Sequence, residues 1–260
     1  MSRVATTAAL ASLALLMTLP SGASTPGHLD GFVPAAARAD GLFGSVWTTD
    51  LWIYHQGASV IHLWFNREDR DNLQVESVVV PLDEPVTVLH DVVGGLFGTE
   101  GVGSIHYLAD GPVLVTSRTW TSADPTGSYG QTIPGIPVTD AAAPDGGQAG
   151  ALRMFVDQRD GLRTNLGVAN VSDVATTVAV EIFTADGSPA PGSSSFTLEL
   201  APYGMTQVNG VLQRLGPGER DGLIVRVGVT SAEGAVVAYT STVDNATNDA
   251  SYQQGFRFAY

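Results

Sequence analysis

The chain has 260 residues, of which 26 are acidic and 12 basic, for a formal net charge of −14. That charge keeps the chain soluble and excludes nucleic acid and anionic lipid as electrostatic partners. There is no Cys and no Lys, so neither a disulfide framework nor a thiolate site is available, and the length suffices for two domains of ordinary size.

The chain opens with Arg3, an apolar run from Ala8 to Leu19, the breaker Pro20 and the small residues Ser21-Gly22-Ala23. This pattern predicts a cleaved signal peptide over 1–23 and a secreted, cell-surface or periplasmic protein. The apolar run is too short to span a bilayer, and no later run reaches about 18 apolar residues, so no membrane span is expected in the mature chain. Residues 24–45, rich in Ala, Gly and Pro, read as a leader segment in which Phe32-Val33-Pro34 could begin a strand.

From Val46 the apolar period is two, not 3.6. Leu51 and Ile53 alternate with Trp52 and Tyr54; Ile61, Leu63 and Phe65 alternate with His62 and Trp64. Short runs of Val, Ile, Thr and aromatics are cut by Gly, Pro, Asn and Asp, the pattern of short antiparallel strands. Reading Gln56 to Val60 as a hairpin loop sets Trp52 opposite Trp64 and Tyr54 opposite His62 on the face away from the core. The acidic stretch Asn66 to Asn72 has interleaved Arg residues that would repel a cation, so it reads as a solvated hairpin tip. His90 to Phe97 is the one stretch with a helical turn, together with its partner Asn209 to Leu215.

The first copy of this pattern covers 46–133, a linker-like stretch covers 134–150, and a second copy covers 151–260. Thr49-Asp50-Leu51-Trp52-Ile53-Tyr54-His55 is answered by Thr164-Asn165-Leu166-Gly167-Val168-Ala169-Asn170. Val113 to Gln131 aligns without a gap on Val236 to Gln254, and both end on Ser-Tyr-x-Gln. A fixed order of matching strands means that one unit was duplicated. The expected fold is therefore all-β: two tandem antiparallel β-sandwich (Ig-like) domains.

Catalytic signatures are missing: no HExxH, no GxSxG, no P-loop and no GxGxxG after a strand. All five His (His28, His55, His62, His90, His106) fall in the first half at isolated positions, as sheet-face or turn residues do. Asp244, Asn245, Asn248 and Asp249 place oxygen side chains at a density that could hold calcium, although the same residues also build plain Asx turns. The clearest candidate site is the aromatic set Trp52, Tyr54, His62 and Trp64. The second copy has Gly167, Ala169, Ala179 and Glu181 in those places, so the set is not a requirement of the fold. It could pack against protein or stack on sugars.

The segments VPAAARADGLFGSVWTTDLWIYH, SRTW, GSYGQTIPG, RTNLGVANVS and VAYTSTVDNATND resemble a duplicated β-sandwich module of exported proteins from environmental bacteria. The resemblance implies export and a tandem sandwich, and no catalytic activity. The expectation is a non-enzymatic structural, adhesive or protein-interaction module, with a glycan-binding accessory protein as the alternative. The tail Gln253 to Tyr260, alternating aromatics, also looks like the closing strand of an outer-membrane β-barrel, whose strands would have to be longer than most here.

Overall fold

The computed structural model describes residues 27–41, 44–123, 127–144 and 150–258. The signal peptide expected over 1–23 lies outside these. The described chain is all-β with antiparallel sheets, an arrangement consistent with a β-sandwich.

In the first half, β1 (His28–Asp40), β2 (Val46–His55), β3 (Val60–Arg67), β4 (Val78–Pro81), β5 (Val86–Leu89), β6 (Gly101–Ala123), β7 (Gly127–Pro134) and β8 (Ile136–Pro137) form two layers joined by β6, which runs through both, and by the end of β1, where Arg38 to Asp40 pair with β2. The first part of β6 pairs with β3 and β1; its second part pairs with β2 and β7. The layers therefore run β4-β3-β6-β1 and β5-β2-β6-β7.

The second half contains β9 (Leu152–Gln158), β10 (Leu162–Asn170), β11 (Thr176–Phe183), β12 (Ser195–Leu200), β13 (Met205–Val208), β14 (Arg220–Val229), β15 (Val236–Asp244), β16 (Ala250–Gln254) and β17 (Phe256–Arg257). Its sheets run β12-β11-β14-β9-β17 and β13-β10-β15-β16. Each strand has a counterpart in the first half once β6 is matched to β14 and β15 together.

The register agrees as well as the order. Leu51 faces Ser117 and Ile53 faces Val115, while Leu166 faces Thr240 and Val168 faces Ala238. Leu51, Ile53, Leu166 and Val168 are all fully buried. A hydroxyl pair recurs at the same height, buried in the first half and partly buried in the second: Thr49 and Thr119 lie 2.9 Å apart, Thr164 and Thr242 3.1 Å. Each hydroxyl thereby satisfies the other inside an apolar layer. Ile61, Leu63 and Phe65 point inward from β3, as period-two alternation predicts. Short helical turns fall at Val92–Leu96 and Val211–Leu215. Each is entered through a left-handed residue, Asp91 (φ 45°) and Gly210 (φ 59°).

Four features differ from expectation. The leader over 24–45 contains β1, whose residues from Phe32 to Ala37 are buried. Its Pro and Ala run hides it from propensity, because Pro34 sits where the ladder with β6 shifts register between Val33 and Ala36, a place that needs no amide donor. The linker over 134–150 is built into the fold up to residue 144. There β8 pairs with β1, and Ala142 exchanges both backbone hydrogen bonds with Val236 at 2.8 and 2.9 Å.

The hairpin of β2 and β3 does not form. The two strands belong to opposite layers, and residues 56–59 arch between them. Trp52 pairs with Val88 and Thr116, and Trp64 pairs with His106. Finally, the ungapped match of Ser-Tyr-x-Gln is not a structural match. Tyr129 faces Thr121, but Tyr252 faces Ser241, the counterpart of Arg118, so the two ladders are offset by three residues.

Candidate functional site

The four aromatic candidates divide between two outer faces. Trp52 and Tyr54 lie outside the β5-β2-β6-β7 layer. Trp52 stands between Val88 and Thr116, and Tyr54 between Val86 and Leu114. Tyr54, Val88, Leu114 and Val86 are 38, 40, 40 and 49% exposed, so this is an uncovered apolar face. Asp50 anchors its edge. Its carboxylate accepts from the Trp120 indole at 3.0 Å and from the Asp91 amide at 2.8 Å.

His62 and Trp64 lie outside the other layer, in a stacked row. Ring centroids are 5.9 Å apart for His62 and Trp64, 4.7 Å for Trp64 and His106, and 4.4 Å for His106 and Phe32. His106 also meets Asp30 at 2.8 Å. The row ends under Tyr203 of the second half, 5.8 Å from His106 and 6.4 Å from Phe32. Stacked pairs of this kind contribute about 0.5–1.5 kcal/mol each beyond burial. This half of the set therefore leads into the junction between the two halves.

The rest of the junction was invisible in the sequence. The stretch from Asn66 to Asn72 is a clasp, not a solvated tip. The Asp69 amide donates to Met205 at 2.8 Å, and Thr206 Oγ1 donates to Asp69 at 2.7 Å. Buried Asn72 donates from its side chain to the carbonyls of Arg67, Arg70 and Tyr203 at 2.9–3.1 Å, and from its amide to Pro202 at 3.0 Å. Asp69 and Tyr203 both hold positive φ, 53° and 50°, a conformation kept only where surrounding bonds enforce it. Asn72→Ala leaves these carbonyls unpaired and is expected to cost about 1–3 kcal/mol. A urea melt checks this, and an unchanged midpoint would dismiss the clasp as incidental.

On the second half, the outer face of β13-β10-β15-β16 is buried against the first. Ala169, Met205, Val237 and Tyr239 belong to one cluster with Phe32, Ala35 and Ala36. Tyr239 lies across Gly167: a Cβ there would sit 2.0 Å from the ring. The phenol donates to Gln207 at 2.9 Å, and burial, with Glu68 adding a little, pushes its pKa well above the ordinary value. The first half solves the same site the other way round, with large Trp52 across from small Thr116. Gly167 is thus the consequence of Tyr239 and not an empty place.

Between the halves opens a cleft of about 570 Å³, lined by Trp47, Glu68, Gln131, Asn165 and Asn209 among others. Ser241 donates across it to Gln131 at 2.9 Å. Burial raises the Glu68 carboxyl above the usual range; neighbouring Asp69 adds to this and Arg67 opposes it.

At the proposed calcium loop, one side-chain oxygen of Asp244 and one of Asn245 already have partners. Asp244 Oδ1 accepts from the amides of Ala246 (2.7 Å) and Thr247 (3.2 Å), and Asn245 Oδ1 accepts from Arg163 at 2.6 Å. Asn248 supplies the left-handed position at φ 63° and donates to the Asp244 carbonyl, and Asp249 closes the turn by accepting from the Asp244 amide. These bonds are those of an Asx turn. Among the described residues, no three His, Asp or Glu side chains converge as a metal would require. No described helix is long and apolar enough to cross a membrane. Neither a protein-family model nor a curated protein matches the chain.

Proposed function

We propose that this chain is an exported, non-enzymatic tandem of two Ig-like β-sandwiches that acts by contact with protein, as a structural or adhesive module of the bacterial surface or matrix. The contact surface is the outer face of β5-β2-β6 around Trp52 and Tyr54. One observation carries this reading: the counterpart face in the second half is buried by protein, whereas Tyr54, Val86, Val88 and Leu114 are open. Apolar side chains that point inward in both halves favour this over a membrane barrel, whose apolar band faces out. Export rests on the signal-like residues 1–23 and is checked by the N-terminal mass of the secreted protein.

The test compares the mature chain with a Tyr54→Ser/Val88→Ser/Leu114→Ser variant. Retention is measured on the chain itself, on extracellular matrix proteins and on cellulose, chitin and xylan. The variant is expected to fold and to lose retention on protein. Unchanged retention, or hydrolysis of ester, peptide or glycoside substrates abolished by His106→Ala, would overturn the reading.

A second reading, glycan binding, is favoured by the cleft and not by the split aromatic set. Trp47 supplies a stacking ring there, and the side chains of Gln131, Asn165 and Asn209 supply hydrogen bonds, the mixture that sugars need. In the same panel, Trp47→Ala would then abolish polysaccharide retention and spare protein retention.

A further inference from the structure

We infer that the open face of the first half is covered by the second half of another copy of this chain, in a head-to-tail assembly that repeats the internal junction. This rests on the contact role proposed above and names its partner.

Pairing registers fix which residues would meet. In the first half, Trp64 faces His106 and His106 faces Phe32 across β3, β6 and β1. The adjoining core pairs, Leu63 with Tyr107 and Val33 with Ile105, match Val180 with Val227 and Met154 with Val225. The counterparts of Trp64, His106 and Phe32 are therefore Glu181, Arg226 and Arg153, again mutually paired.

The docking turn transforms in step. Leu51 faces Leu89 and Leu166 faces Val208, so β5 and β13 hold one register, and the turns before them correspond. Tyr203, which caps His106 and Phe32 within the chain, has Glu84 as its counterpart, preceded by Asp83. Inside the molecule, an aromatic side chain meets an aromatic and imidazole pair. Between molecules, the same geometry brings Glu84 onto Arg153 and onto Arg226, which Glu181 already holds in an ion pair. Both sides have changed together, from stacking to opposite charge. Glu84 is exposed and makes no ion pair among the described residues.

The apolar parts agree. Gly135 and Gly255 donate to Val115 and Ala238, both at 2.8 Å, so β8 and β17 occupy the same place. Ile136 on β8 is buried, but Phe256 on β17 is 55% exposed, beside Phe155 at 57%. Each end of the chain therefore presents the half of a junction that the other end lacks. Such an interface is heterologous and does not close on itself at two copies.

The experiment is sedimentation velocity of the mature chain over a concentration series, with Glu84→Arg, Arg153→Glu and their equimolar mixture. The wild type is expected to form oligomers that grow beyond a dimer with concentration. Each single variant should associate at least about tenfold more weakly, because like charges would then meet across the contact. The mixture should regain association, since each variant supplies the end that the other has lost. Urea midpoints equal to wild type show that both variants fold; if either does not, Val88→Ser, on the exposed face alone, serves in its place as the variant that must lose association. A wild type that stays monomeric overturns the inference, and so does a dimer that survives Arg153→Glu. If the wild type is monomeric and the serine triple variant still loses retention on foreign protein, the inference falls and the contact role stands.

Discussion

Tyr239→Ala is expected to lower stability by about 3–5 kcal/mol, whereas Trp52→Ala at the counterpart site is expected to cost about 1 kcal/mol. Tyr239 is fully buried in one cluster with Phe32 and Ala35 from across the junction. Its removal empties a cavity shared by both halves and strips Gln207 of its donor. Trp52 is half-buried on an open face, so its loss removes little more than contacts with Val88 and Thr116. Parallel urea titrations separate the two. Equal costs would mean that the open face is a core in its own right, and the contact role would lose its basis.

A steep alkaline instability is the other large effect. Burial holds the phenols of Tyr107, Tyr239 and Tyr252 above their ordinary value of 10.0; Asp30 and then Asp140 add to the shift at Tyr107, Glu68 at Tyr239, and Tyr239 at Tyr252. The unfolded chain releases these protons above pH 10 while the native chain retains them. The native state then binds more protons, so stability falls as pH rises. The contribution is whole below pH 10 and is lost above it. With three phenols, the slope reaches about 4 kcal/mol per pH unit, at about 1.4 for each proton. Urea midpoints at closely spaced pH values across this window test the slope. The Tyr252 hydroxyl is buried without a partner, so Tyr252→Phe should leave neutral stability equal or higher and remove about a third of the slope. A flat profile above pH 10 would mean that these phenols titrate in the native state.

Side-chain direction was legible in the sequence, and neighbours were not. Alternation placed Leu51, Ile53, Ile61, Leu63 and Phe65 inward because a strand has only two faces. Alternation carries no information on which strand lies alongside. Residues 56–59 serve equally as a hairpin loop or an arch, so local sequence favours the pairing of Trp52 with Trp64 and the cross-layer arrangement prevails over it. Of β1 only Phe32-Val33-Pro34 was legible as the start of a strand, because burial, not propensity, carries it on to Ala37. The clasp at Asn72 escaped for a different reason: its partner across the junction, Tyr203, lies 131 residues away, and nothing local marks an Asn that will be enclosed.

The single strand β6 also governs when the molecule can take shape. Phe32 must wait for His106, and His28 for Val113, before β1 has a neighbour in its layer. Through most of its synthesis, the first half is a set of strands whose central partner has not arrived. Loops of such length must close before any pairing rewards them, so acquisition of the fold is slow, in the millisecond-to-second range of β-rich topologies. In the second half, where the corresponding strand is cut into β14 and β15, Arg153 waits as long for Arg226 and Leu166 as long for Thr240, so the division shortens neither wait.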